Sequence, residues 1–201
     1  MKLFYFTGAC SLSPHIALRE AGLDFDLVKI DNATRTTPTG ENYYAINPKG
    51  SVPALQMQNG EVLTEGPAIV QYIADLAPER NLAPKAGTPE RYRLQEMLNY
   101  ITSEVHKTYS PLFNPDMPAE AKTIFRTNLG KKFTYLNECL KNQDYLLGNT
   151  FTVADGYLYN VLRWASRVDV DLNQWPALNA FFNRINQRPG VQAALQAEGL
   201  N

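Results

Sequence analysis

The segment Lys2-Leu3-Phe4-Tyr5-Phe6-Thr7-Gly8-Ala9-Cys10-Ser11-Leu12-Ser13-Pro14 decides how the rest of the chain is read. Lys2–Phe6 is a short β run. Gly8 to Ser13 is a break, and Pro14 suits the opening turn of a helix, where its missing N–H costs nothing. Ser13 is the expected N-cap. Ala17, Leu18 and Ala21 then recur at helical spacing, and Gly22 stops the helix. Asp26–Ile30 reads as a second strand. The three pieces form a β-α-β unit with a parallel strand pair and a right-handed crossover.

Downstream, Asp31 to Gly50 is long and polar, with one short helix expected around Glu41–Ala45. Ala54–Met57 and Glu61–Thr64 read as strands joined at Asn59-Gly60, a dipeptide whose residues tolerate positive φ. Gly66-Pro67 opens a helix with Ile69, Tyr72, Ile73 and Leu76 on one face. The order β-α-β then β-β-α is the thioredoxin-like α/β arrangement. Ala77 to Pro89 carries Pro78, Pro84, Gly87 and Pro89 and reads as a linker. Beyond it strand signals vanish. Helices are expected from Thr88-Pro89-Glu90 to about Ser110, from Pro118 to about Lys141, from Thr152 to about Val168, from Pro176, and after Pro189-Gly190. The expected division is a thioredoxin-like domain over residues 1–80, a linker over 81–87 and an all-α domain over 88–201.

Composition narrows the function. The chain has 201 residues, 44% hydrophobic and 19% charged, enough to bury a sizeable core. A net charge of −1 leaves nothing built to neutralise a nucleic-acid backbone. The N-terminal apolar run is too short for a signal peptide, and no stretch reaches the roughly 18–20 apolar residues of a membrane span. A cytoplasmic protein with two reduced cysteines, Cys10 and Cys139, is expected. With His15 and His106 these show no zinc-ligand spacing, so no metal is assigned.

Cys10 lies just before a helix start, where free N–H groups and the helix dipole favour an anion and lower a thiol pKa. In Cys10-Ser11-Leu12-Ser13 a serine stands where a disulfide oxidoreductase carries its resolving cysteine. Cys10 therefore suits a mixed disulfide with a small thiol, or stabilising another molecule's thiolate. The bland alternative is a small residue buried in a turn. Val52-Pro53 is a candidate cis peptide that would turn the Val52 backbone outward, where an extended peptide can pair with it; the alternative is a strand-edge proline. Glu65-Gly66-Pro67 is a helix N-terminus, suited to a carboxylate, with Glu65 suited to an ammonium. It can equally be a plain helix start.

On the long helix Leu94, Leu98, Ile101 and Val105 mark the core face. Roughly opposite lie Tyr92, Glu96, Asn99, Ser103, His106 and Ser110, polar but little charged, as a cleft or an interface would be. His106 could stabilise a thiolate or shuttle a proton near neutral pH. A solvated helix histidine is the alternative. Thr152-Val153-Ala154-Asp155 is a capping box for a helix apolar nearly all round, the expected centre of the second domain. Tyr5, Trp164 and Trp175 read as packing residues, and Cys139 as an inert core thiol.

These motifs together resemble the bacterial beta class of the cytosolic glutathione transferases, over essentially the whole chain. The resemblance is carried by Met1-Lys2-Leu3-Phe4-Tyr5, Gly8-Ala9-Cys10-Ser11-Leu12-Ser13-Pro14-His15, Asn47-Pro48-Lys49-Gly50-Ser51-Val52-Pro53, Leu63-Thr64-Glu65-Gly66, Ser103-Glu104-Val105-His106-Lys107 and Phe151-Thr152-Val153-Ala154-Asp155. It implies a homodimer that binds glutathione as co-substrate, with no further cofactor. Val52, beside a cis-Pro53, would pair with the cysteinyl part, and Glu65 and Gly66 with the γ-glutamyl end. Cys10 would lie against the glutathione sulfur. Arg35 stands where the family usually has a lysine near the glycyl carboxylate. Asn99 and His106 would approach from the helical domain, and Val105 and Lys107 of the same motif would also belong to the glutathione-binding set. Ser103 and Glu104 would act across the dimer interface, although an α-helical face count puts Glu104 about 80° off the Asn99/Ser103 stripe.

The implied activity is transfer of glutathione to hydrophobic electrophiles in detoxification, with the electrophile held by the helical domain near Tyr109–Phe113 and Trp164. Thiol–disulfide exchange or peroxide reduction through Cys10 is a companion activity. A non-enzymatic glutathione-fold binding protein is the alternative.

Overall fold

The structure is a computed structural model that describes residues 1–200. The chain divides into two compact units, Met1–Ala83 together with the segment from Arg188, and Pro84–Gln187.

The first unit is built on four strands: β1 (Lys2–Tyr5), β2 (Asp26–Lys29), β3 (Ala54–Gln56) and β4 (Val62–Thr64). Their order is β2-β1-β3-β4, with β1 parallel to β2 and antiparallel to β3. Leu3 pairs with Leu27 on one side and Leu55 on the other. The β3–β4 connection closes at Gly60, whose φ is +88°, with the Met57 N–H donating to the Glu61 carbonyl. α1 (Leu12–Ala21) is the crossover helix, α2 (Tyr43–Ile46) is a single turn, and α3 (Gly66–Leu76) follows β4. Leu3, Leu12, Ile16, Leu18, Leu55, Ile69 and Ile73 are almost wholly buried between sheet and helices. At roughly 1.5–3 kcal/mol per buried aliphatic side chain, this layer supplies most of the unit's cohesion.

Two local expectations shift. α1 starts at Leu12 rather than after Ser13, because Ser11 already has helical dihedrals; Pro14 sits within the opening turn. The buried row of α3 is Ile69, Val70, Ile73 and Ala74, continued by Ala77; Tyr72 is half-buried and Leu76 is 44% exposed. The chain leaves α geometry at Ala77, so that residue, not Leu76, makes the last core contact.

The final helix, α9 (Pro189–Glu198), packs on α1. Glu198 is the reason. Its carboxylate accepts from the Gly8 N–H at 2.9 Å and, at the same distance, from Nδ1 of His15, and both side chains are completely buried. Arg19 Nε donates to His15 Nε2 at 3.4 Å, which assigns the ring proton to Nδ1. Arg188 clamps Glu20 with two bonds, of 2.9 and 2.6 Å. A side chain at Gly190 would come within 2.7 Å of the Glu20 carboxylate. Residues from Arg188 onward therefore belong with the first unit, where the expected division had placed them in a domain spanning 88–201.

The second unit is helical. α4 (Pro89–Tyr100) is capped by Thr88, whose hydroxyl accepts from the Arg91 N–H. It continues without a break through a π-helical segment, Ile101–His106, into α5 (Lys107–Phe113), past the expected end near Ser110. The hydroxyls of Thr102 and Ser103 donate to the Leu98 and Asn99 carbonyls, competing for acceptors that α geometry assigns to backbone N–H groups. The turn widens there. α6 (Ala119–Leu140), α7 (Val153–Leu162) and α8 (Pro176–Asn186) complete the unit. Every residue of α7 is buried, as its all-round apolarity requires. α7 ends at Leu162, and a 3₁₀ turn over Ala165–Val168 replaces its expected last turn. Cys139 is half-buried and hydrogen-bonded to Tyr135, so it is not a core thiol. Trp175 packs edge-on against Phe133 and donates Nε1–H to Thr134. Among the described residues no helix is long and apolar enough to cross a membrane.

Candidate functional site

In the first unit the site begins at the end of β1. The chain turns through Gly8 (φ +68°), and Cys10 follows just ahead of α1. Opposite it runs the loop from α2 to β3. Tyr43, fully buried, donates its hydroxyl to the Ser51 carbonyl at 2.8 Å, and the Asn47 amide donates to the same oxygen at 2.7 Å. Gly50 has φ +65°, and a Cβ there would lie 2.4 Å from the Tyr44 ring, so the loop requires glycine. The Val52–Pro53 peptide is cis. Val52 and Pro53 are buried, and the Cys10 thiol donates to the Val52 carbonyl at 3.0 Å.

Cys10 is half-buried, and burial pushes its thiol up to about 11. The Cys10 and Ser11 backbone N–H groups pull it down, and the charge of Glu65 pushes it further up. Desolvation outweighs the helix start, so the expected low thiol pKa is overturned for the chain by itself. The N–H groups at the opening of α1 point at the sulfur, but they serve a thiol, not a standing thiolate.

Arg35 is half-buried with φ +56°. It donates to the Gly50 carbonyl at 3.0 Å and stacks its guanidinium 4.9 Å from the centre of the Phe6 ring. The guanidinium is fixed at the loop, with further N–H groups able to fork onto a carboxylate. Glu65 has φ +69° at the start of α3, where its carbonyl accepts from the Ala68 and Ile69 N–H groups. Its carboxylate takes Lys49 Nζ at 2.7 Å, and Lys49 also reaches the Thr64 hydroxyl at 3.0 Å. The pair is 54% and 65% exposed, so it contributes at most about 1 kcal/mol. Gly66 adjoins Pro53, whose ring carbon would lie 3.9 Å from a Cβ there. Cys10, Val52, Pro53, Glu65, Gly66 and Arg35 thus share one unit, gathered around the Asn47–Pro53 loop.

The remaining candidates belong to the second unit. His106 donates to or accepts from the Tyr157 hydroxyl at 2.7 Å through Nδ1 and lies 5.0 Å from the Trp164 ring, centre to centre. Burial, with help from the charge of Lys107, pushes it down to about 4. It is neutral at neutral pH, which corrects the expected proton shuttle there. Tyr109, Phe113 and Trp164 pack on one another with centres 5.5–5.9 Å apart. Asn99, Ser103 and Lys107 are exposed. Val105 is wholly buried, so its side chain faces the core rather than a ligand. Glu104 is half-buried and pairs with Lys132 of α6. It lies inside the π segment, where the α-helical face count does not apply. Thr152 and Asp155 form the capping box: the Asp155 carboxylate accepts from the Thr152 N–H at 2.7 Å, the Thr152 hydroxyl at 2.9 Å and the Leu146 N–H at 2.8 Å.

Sequence reading missed four working residues. Lys49 was visible in Asn47-Pro48-Lys49-Gly50, where a cation follows a turn. Tyr43, Tyr157 and Lys132 gave no signal, because each acts on a partner brought close only by the fold.

Residues 7–76 match the family described as glutathione S-transferase, N-terminal domain, and residues 100–189 match glutathione S-transferase, C-terminal domain. The chain is 50% identical to glutathione S-transferase GstA of Escherichia coli O157:H7 over the full length of both. It is 38% identical, again over all of both chains, to glutathione S-transferase GST-4.5 of Xanthomonas campestris. Among solved structures it is similar to BphK, a bacterial transferase seen in a ternary complex, with a TM-score of 0.97, 53% identity and complete coverage of both chains. A sphingomonad glutathione S-transferase complexed with glutathione gives a TM-score of 0.97 at 49% identity, also with complete coverage. The bacterial beta-class enzyme of Sphingomonas chungbukensis gives 0.96 at 49% identity over both whole chains.

Proposed function

The chain belongs to the bacterial beta-class glutathione S-transferases, and on that premise we propose that it binds glutathione along the Val52 backbone and joins it through its sulfur to hydrophobic electrophiles. The observation that carries this reading is the Cys10 sulfur 3.0 Å from the Val52 carbonyl. A peptide pairing with Val52 as an added strand would bring its own cysteinyl side chain against Cys10. Arg35 would then hold the glycyl carboxylate. Glu65, with Gly66 beside it, would hold the γ-glutamyl ammonium in exchange for its Lys49 partner. Asn99, Ser103, Glu104 and Lys107 are the helical unit's proposed contributors. Its His106, neutral at neutral pH, is a hydrogen-bonding group in this reading and not a cation. The homodimer implied by the family completes the reading. Tyr92 and Ile124, each 62% exposed, are apolar surface that a second copy would cover.

Binding orients the glutathione thiol, and its thiolate is the nucleophile that forms the new carbon–sulfur bond as the electrophile's leaving group departs. Purified protein given glutathione and an aryl halide should show a glutathione-dependent rate above background. No such rate rejects conjugation.

The Cys10-Ser11-Leu12-Ser13 spacing supports a companion activity. The Cys10 thiolate attacks glutathione disulfide, one glutathione leaves as thiol, and the other stays on Cys10 as a mixed disulfide. Intact mass after treatment with glutathione disulfide should rise by one glutathionyl group, and not in Cys10→Ser. An unchanged mass removes this activity and leaves conjugation standing.

A further inference from the structure

The three carbonyls leading into Pro53 are each held by side chains of the same unit, and the holders differ in strength. The Gly50 carbonyl takes the charged Arg35 guanidinium at 3.0 Å. The Ser51 carbonyl takes both Tyr43 and Asn47, at 2.8 and 2.7 Å. The Val52 carbonyl takes the Cys10 thiol at 3.0 Å. A thiol is the weakest donor of the set. The loop is therefore clamped at two carbonyls and closed at the third by a donor that a peptide N–H can replace.

We propose that the Cys10 thiol is the resting occupant of the Val52 carbonyl, and that glutathione binding displaces it and so frees Cys10 to ionise. This rests on the reading that glutathione lies along Val52. In the resting state a thiolate would stand at hydrogen-bond distance from a carbonyl oxygen, two acceptors facing each other, so the proton stays on sulfur. When the cysteinyl N–H of the tripeptide donates to the Val52 oxygen, the S–H···O bond breaks and an N–H···O bond forms. The Cys10 and Ser11 N–H groups remain as donors to sulfur, and the S–H proton leaves to water. The titratable groups facing Cys10 in this unit are Tyr43 and Glu65, with Arg35 beside Tyr43 and Lys49 paired to Glu65. A γ-glutamyl ammonium at Glu65 would act in the same direction, by offsetting the charge that raises the thiol. Linkage makes the effect reciprocal: the thiol form of Cys10 opposes the tripeptide as much as the tripeptide opposes the thiol form.

The probe is γ-glutamyl-alanyl-glycine, glutathione without its sulfur, so that every thiolate signal belongs to the protein. Its affinity is measured by calorimetry on the wild-type protein and on Cys10→Ala, in which nothing competes for the Val52 oxygen. The alanine variant should bind about 2- to 5-fold tighter, the equilibrium equivalent of one weak hydrogen bond. Glu65 is the same in both proteins, so this comparison isolates the competition at the carbonyl. In parallel, ultraviolet thiolate absorbance of wild type minus Cys10→Ala is followed against pH. Saturating tripeptide should move the midpoint to lower pH. Equal or weaker binding by Cys10→Ala, or a midpoint the tripeptide leaves in place, overturns the proposal while the glutathione site stands. No binding of the tripeptide to either protein overturns the site itself, and the proposal with it.

Discussion

The openings of α1 and α7 are built from similar residue types and do opposite things. At α7 the Asp155 carboxylate gathers three donors, and the whole helix beyond it is buried. At α1 the N-cap Ser11 makes no capping bond. Its hydroxyl turns back to Phe6 instead, and the free N–H groups of Cys10 and Ser11 face the cysteine sulfur. A sealed helix end supports the fold, and an unsealed one is left for chemistry. α7 has its own link to a candidate site residue, because Tyr157, in its second turn, bonds His106.

The contrast breaks first at Asp155. Asp155→Ala leaves the Leu146 and Thr152 donors buried without an acceptor and should cost roughly 3 kcal/mol or more in urea unfolding. A loss under about 1 kcal/mol would mean the seal is ornamental. Next is the acid limb. His106 ionises near 4 in the folded chain against 6.5 ordinarily, so the unfolded chain binds the extra proton between those values. Stability is therefore full above about pH 6.5 and falls toward pH 4, by on the order of 3 kcal/mol from this group. Melting temperatures of His106→Gln across that range should show a shallower slope than wild type. Thr152→Val comes third, at about 1–1.5 kcal/mol, since Asp155 keeps two of its three donors. Ser11→Ala should cost least, about 0.5–1 kcal/mol by the same denaturation, because the Phe6 carbonyl also accepts from the Ala9 N–H and only the half-buried Phe6 N–H loses its acceptor. If Ser11→Ala proves as costly as Thr152→Val, the two ends are alike and the contrast is lost.

The order of elements was legible because each has a local cause. Gly22 and Gly60 take positive φ, Thr88 and Thr152 cap, and prolines open α3, α4, α8 and α9. What escaped depends on contacts distant in sequence. Glu198 reads as an ordinary helix-end carboxylate until the fold sets it against Gly8 and His15. The thiol of Cys10 was placed correctly and charged wrongly, since a helix start is a sequence signal and desolvation is not. The angular count that set Glu104 off the Asn99/Ser103 stripe assumes the α period, from which the Ile101–His106 segment departs. The Val52–Pro53 cis peptide was a candidate that spacing alone could not decide.

The buried carboxylate under Gly8 has a consequence for biosynthesis. On a ribosome the strands and helices that surround Cys10 emerge first, yet the residue that anchors its loop is added only after the whole helical unit. The amino-terminal unit therefore waits, through the whole translation of the helical unit, for its own final piece. A nascent chain halted between the two would carry a cysteine loop with nothing beneath it.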